Sequence, residues 1–279
     1  MKNSVVLAGV VAAAAAVVAG AVVFVFSGAY NVAATSQHLQ PIYTLLETTL
    51  RQSVRLRASS VTQSAPGDAQ RGAACYQALC VQCHGAPGVA QNDIGKSMQP
   101  VPGPLVDAIQ RWRPRELYWI TRHGIKMSGM PAWEFRLDDG QMWDVVAFIE
   151  RLPTLSPRAY AAATEATGAD TCAQADQTGP ARTGTQSASP ERGLSMLSQH
   201  ACAACHTIPG VISSNSNVGP PLAGMARRRL IAGRLANTPD NMVQWLRKPH
   251  IIKPGTAMPD MGVTEAHARD MASYLATLD

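Results

Sequence analysis

A pentapeptide of the form Cys-x-x-Cys-His occurs twice, as Cys80-Val81-Gln82-Cys83-His84 and as Cys202-Ala203-Ala204-Cys205-His206, and each copy is followed downstream by Met-Pro. Two thiols at this spacing can add to the two vinyl groups of one porphyrin, which holds the adjacent imidazole beneath the iron. The sequence therefore predicts two covalently bound haem c groups, one per motif. Met130-Pro131 and Met258-Pro259 supply candidate sixth ligands from the opposite side. A zinc knuckle would need further Cys or His ligands at compact spacing beside each pair, and a thioredoxin-like site would need alternating strands and helices. The immediate His and the repeated Met favour haem.

The duplication divides the 279 residues into two small domains. Only 5% of residues are aromatic, thin for two cores, and a haem is itself a large apolar body around which a short chain can fold. The boundaries expected are an anchor over 1–27, a stalk helix over 28–65, haem domains over 66–155 and 189–279, and a linker over 156–188.

Ser4 to Phe26 are uncharged and dominated by Val and Ala. As a helix this run reaches ~35 Å, enough to cross a bilayer. It exceeds the usual apolar core of a cleaved signal peptide, so the expectation is a retained single-pass transmembrane helix. Lys2 then stays on the cytoplasmic side, and everything after Phe26 lies outside. Covalent haem attachment on the outer face of a bacterial cytoplasmic membrane agrees with that orientation, so a periplasmic location follows.

Ile42, Leu46, Leu50 and Val54 recur at helical spacing along the stalk, with Arg51, Arg55 and Arg57 at its end. These arginines fit lipid phosphates, an acidic partner, or solvent over a helix lying against the first haem domain. Further helices are expected over Asp68 to Cys80, Glu116 to His123 and Asp138 to Leu152, and, in the second domain, over Pro190 to Ala201, Thr238 to Arg247 and Thr264 to Leu278. Ser156 to Ala188, rich in Ala, Thr, Gln, Ser, Gly and Pro, carries too few large apolar side chains to fold alone.

Both domains resemble class I c-type cytochromes. The resemblance rests on the motif at the end of the first helix, the loops Pro102-Gly103-Pro104-Leu105 and Gly219-Pro220-Pro221-Leu222, the Met-Pro loops and the aromatic-bearing closing helices. Gly219 to Leu222, together with Lys253 to Pro259, is similar to cytochrome domains fused to subunit II of some haem–copper oxidases. His123 to Trp133 resembles the ligand loop of membrane-anchored cytochromes of proteobacterial respiratory chains. The resemblance implies an all-α fold of two tandem cytochrome c domains behind the anchor and stalk. It makes Cys80, Cys83, Cys202 and Cys205 the thioether residues, His84 and His206 the proximal ligands, and Met130 and Met258 the distal ones.

His/Met ligation raises the potential and closes the iron to substrate, so the implied activity is one-electron transfer without enzyme chemistry of its own. The implied partners are redox proteins: a quinol–cytochrome c reductase, a terminal oxidase or a dehydrogenase. A dihaem peroxidase would need an open iron position, against which both Met-Pro loops argue. Class I cytochromes orient the proximal His through a proline carbonyl; Pro220 fits that place, and in the first domain Pro102 and Pro104 both remain candidates.

Met127 and Met261 are rival ligands, read as packing against the porphyrin because neither precedes proline. His123 is expected to have a conformational or haem-propionate role, and Trp133, Trp245 and Tyr118 to serve as haem wall or as core. Cys75 and Cys172 remain: either they form a disulfide, or Cys75 is a core thiol and Cys172 an exposed one. Of the net charge of +5, Arg227-Arg228-Arg229 and Arg234 dominate the last domain, where they can neutralise propionates or steer an acidic partner. Nucleic-acid binding is a poor account of arginines beside a haem outside the cell.

Overall fold

The computed structural model describes residues 2–63, 65–165, 172, 187–212 and 218–279. Apart from loops these are helical, with one antiparallel hairpin pairing β1 (Leu230–Ile231) and β2 (Leu235–Ala236). Helix α1 (Lys2–Phe26) has the length and composition of a membrane-crossing helix, a property that N-terminal signal sequences share. Two compact units divide the chain: Met1–Ala132 with Trp143–Gly168, and Trp133–Met142 with Ala169–Asp279.

The first unit contains α2 (Gln40–Ala58), α3 (Ala69–Cys75), α4 (Val81–His84), α5 (Asp93–Lys96), α6 (Ala108–Arg111) and α7 (Pro114–His123), together with α8 (Asp139–Arg151) from Trp143 onward and α9 (Pro157–Glu165). The amphipathic stripe of α2 ends on α7, with Val54 and Ala58 fully buried. Helix α9 falls where a linker was expected. Its Tyr160 is 2% exposed, packs against Tyr76 and Phe148, and donates a hydrogen bond to Gln77 Oε1 at 2.5 Å. One well-placed aromatic therefore folds a segment whose composition alone reads as unstructured. The rest of the expected linker, apart from Cys172 and its last two residues, lies outside the described residues.

The second unit contains α10 (Pro190–Gln199), α11 (Pro239–Arg247), α12 (Pro249–Ile252) and α13 (Glu265–Leu275). Its core gathers Met196, Leu197, Ile231, Leu246, Met271 and Leu275.

Each unit is closed by one crossing, built twice from the same parts. In the first, Gly72 on α3 lies so close to the Asp144 carbonyl on α8 that a Cβ would overlap it; in the second, Gly193 on α10 meets the Asp270 carbonyl on α13 in the same way. The buried Asp144 carboxylate accepts from the Asp68 N–H at 2.6 Å and pairs with Arg71 at 2.9 Å. Buried Asp270 accepts from the Ser189 N–H at 2.9 Å and pairs with Arg192 at 2.8 Å. Asp68 and Ser189 are also the N-caps of α3 and α10, so each closing-helix carboxylate binds the residue that starts the opposing helix.

Candidate haem sites

The two motifs leave their crossings differently. In the first unit α3 runs through a π-helical turn, Tyr76–Cys80, into α4, and Gly85 at φ +64° ends the run. Tyr76, fully buried, donates through its hydroxyl to the Gly85 carbonyl at 2.7 Å and fastens that end. In the second unit the helix stops at Gln199, two residues short of the expected Ala201. Ala201 sits at φ +53°, and Cys202–Ala204 form a 3-10 turn.

Both histidines nevertheless reach the same geometry. His84 Nδ1–H donates to the Gly103 carbonyl and His206 Nδ1–H to the Pro220 carbonyl, each at 2.7 Å. This bond places the ring proton on Nδ1 and leaves the Nε2 lone pair for a metal. Pro220 is the expected acceptor. In the first unit the acceptor is neither proline but Gly103, because each acceptor is the residue directly before Pro-Leu.

The supports around the rings differ atom by atom. Gly219 lies against the His206 imidazole, where a Cβ would stand 2.5 Å from Cε1, and its N–H donates to the Cys205 carbonyl at 2.7 Å. The matching residue in the first unit is Pro102, which has no N–H. There Gln91 Nε2 donates to the Cys83 carbonyl at 2.7 Å, and also to the Pro102 carbonyl.

The Met loops share a device that sequence reading missed. Ser128 and Thr256 stand two residues before Met130 and Met258, and each accepts a hydrogen bond from its methionine's N–H, at 3.2 and 3.3 Å. The signal was a hydroxyl residue at the same offset before both Met-Pro pairs. Gly124, at φ +64°, starts the first loop, where a Cβ would lie 2.7 Å from the Met130 carbonyl oxygen. In the first unit, Gly95 packs on Cys83 and the Met98 sulfur packs against Gly129, joining motif and ligand loop. In the second, Cys202 and Met258 both pack on the unit's core.

Met127 is 99% exposed at φ +57°, in the turn that leads to Met130. Met261 is 38% exposed. Tyr118 is buried, stacked on Trp143 at 4.2 Å; Trp133 is buried, and Trp245 packs on the second core. His123 is exposed with its ring 4.9 Å from Trp119. Arg228 donates to the Pro221 and Ala223 carbonyls, so it braces the loop that carries Pro220.

Cys75 and Cys172 are disulfide-bonded, and the buried position of Cys172 excludes the exposed-thiol reading. Cys80, Cys83, Cys202 and Cys205 are free thiols. Burial pushes Cys80 up to about 12 and Cys202 up to about 11, so both are protonated near neutrality. Burial also pushes His84 below the ordinary histidine value, against the opposing pull of its bond to Gly103. Per unit, two free thiols, one imidazole with Nε2 available and one thioether form a donor set that fits haem c.

Residues 67–149 match the family described as cytochrome c oxidase, cbb3-type, subunit III, and residues 190–279 match the family described as cytochrome c. The chain carries two cytochrome c domains. It is also similar to the cytochrome c oxidase subunit 2 of Alkalihalophilus pseudofirmus, 30% identical over 90 residues that make up 31% of this chain. The match spans only 25% of that relative's length. No solved structure matches the chain. Cytochrome c domains bind haem c covalently and transfer electrons, and the two Met-Pro loops here belong to domains of that kind.

Proposed function

We propose that the chain is a membrane-anchored dihaem cytochrome that passes single electrons from a membrane or periplasmic donor to an acceptor in a respiratory chain. The observation that carries this reading is the repeated imidazole anchor: both motif histidines donate through Nδ1 to a loop carbonyl at 2.7 Å, although neighbouring atoms differ. Cys80, Cys83, Cys202 and Cys205 are the attachment thiols, His84 and His206 the proximal ligands, and Met130 and Met258 the distal ligands.

Haem, when bound, supplies reversible one-electron chemistry. The chain's own residues do the positioning. Gly103 and Pro220 hold each imidazole by its Nδ1 proton, and Ser128 and Thr256 hold each methionine by its backbone. Met130→Ala and Met258→Ala should each abolish the methionine-to-iron charge-transfer absorption of one haem and lower its potential, with both haems still attached. Loss of that absorption in Met127→Ala or Met261→Ala instead would refute the ligand assignment. Slow or absent carbon monoxide binding by the ferrous protein separates this carrier from a dihaem peroxidase.

The anchor reading rests on α1, which lacks charge from Ser4 to Phe26. Carbonate-washed membranes should retain the protein with its N-terminus intact, and protease added to spheroplasts should digest both haem domains. A second reading, the electron-entry subunit of a terminal oxidase, draws on the likeness to cbb3-type subunit III and to an oxidase subunit 2. Purification in mild detergent tests it: a haem–copper subunit in fixed ratio supports the subunit, and its absence supports the free carrier.

A further inference from the structure

On the first unit, where α2 meets the segment from α6 to the start of α7, lies a cavity of about 750 Å³ that none of the candidate haem residues lines. Arg55, Arg111, Arg113 and Arg115 line it together with Trp112. Its carboxylates are Glu116 and Glu150, which leaves an excess of two positive charges. Glu116 is already engaged, accepting from the Arg113 N–H at 2.9 Å to cap α7. Arg111 pairs with Asp107 at 3.0 Å, whereas Arg55, Arg113 and Arg115 make no ion pair among the described residues. Arg115 Nε is buried without a hydrogen-bond partner there, a costly state that an added acceptor relieves.

We infer that this cavity binds a phosphomonoester carried on an organic body. A phosphomonoester is anionic near neutrality, opposite in sign to the cavity's arginine excess, and its oxygens accept from guanidinium forks on several sides. The N-terminus of α7, ten residues long, adds its favourable dipole at the same place. The volume lies within the range of small-molecule sites and far exceeds one phosphate, and Trp112 with Ile109 offers a wall for the organic part. The bound group would bridge α2 and α7 and so clamp the stalk to the first domain. This inference does not depend on haem ligation or on the electron-transfer reading.

The test is calorimetric titration of the full-length holoprotein in neutral detergent with inorganic phosphate, phenyl phosphate and dihexanoyl phosphatidic acid. Tighter binding of phenyl phosphate than of inorganic phosphate assigns a soluble ligand, and tight binding of phosphatidic acid alone assigns a lipid headgroup. Arg113→Gln and Arg55→Gln should each weaken binding roughly tenfold, as expected for loss of one charge-assisted contact. Arg115→Lys, which keeps the charge and the aliphatic stem, should weaken it while leaving the circular dichroism spectrum unchanged. Failure of all three probes to bind at millimolar concentration, equal affinity for inorganic phosphate and the monoesters, or indifference of binding to these substitutions overturns the inference.

Discussion

The two cytochrome domains hold the carbonyl of their second motif cysteine with different atoms. In the second domain the Gly219 backbone N–H does so; in the first, Pro102 stands in that place and the Gln91 side chain supplies the donor instead. The acceptor for the imidazole likewise changes residue type, from Pro220 to Gly103, while the distance stays at 2.7 Å. What the two domains share is therefore the position of a carbonyl, a property of the backbone path that different side chains can secure.

The largest effects should fall where the domains are most alike. Gly72→Ala and Gly193→Ala each drive a Cβ into a carbonyl of the closing helix and should cost about 3 kcal/mol or more in the affected domain. Denaturant melts followed by haem absorption would check this, and tolerance of either alanine would show that the crossing is looser than described. Next come Asp144→Ala and Asp270→Ala, each expected to cost about 2–4 kcal/mol by removing the buried carboxylate that an arginine and an N-cap N–H share. Arg192 is 33% exposed and Arg71 60%, so solvent replaces less in the second domain and Asp270→Ala should cost more.

Gln91→Ala sharpens the contrast, because its effect should be confined to the first domain. Loss of the donor to the Cys83 and Pro102 carbonyls should cost about 1–2 kcal/mol and, on the dihaem proposal, shift the potential of the first domain's haem alone. A shift in both haems would break the assignment.

The smallest effect is one of pH and belongs to the second domain. His200 is pushed below its ordinary value of 6.5, first by burial and also by Arg136, although a bond that its ring donates to the Met261 backbone opposes this. Its ring also meets His267 at 3.2 Å. Because the native ring takes up a proton less readily than the unfolded one, the second domain should lose stability as pH falls below about 6.5. His200→Gln should flatten that slope in melts between pH 5 and 7.5, and an unchanged slope would assign it to another group.

Much of this was legible in the sequence because it is local. The motifs, the Met-Pro pairs and the helices carry their own periodicity and turn residues. Gly103 is not legible from the proline pattern, because the register is set by the Pro-Leu that follows. Helix α9 was missed because composition counts apolar residues and does not know that Tyr160 finds Tyr76 and Phe148. The Asp144 and Asp270 clasps escaped because a carboxylate on a helix reads as solvated surface until its distant partner is known.

That distance also orders events in time. Arg71 and Asp144 are 73 residues apart in the chain and Arg192 and Asp270 are 78 apart, so neither crossing can form until the closing helix has been synthesised. During translation each pentapeptide emerges long before the closing helix of its crossing. The thiols of Cys80 and Cys202, hard to ionise in the folded domain, stay open until their crossing closes.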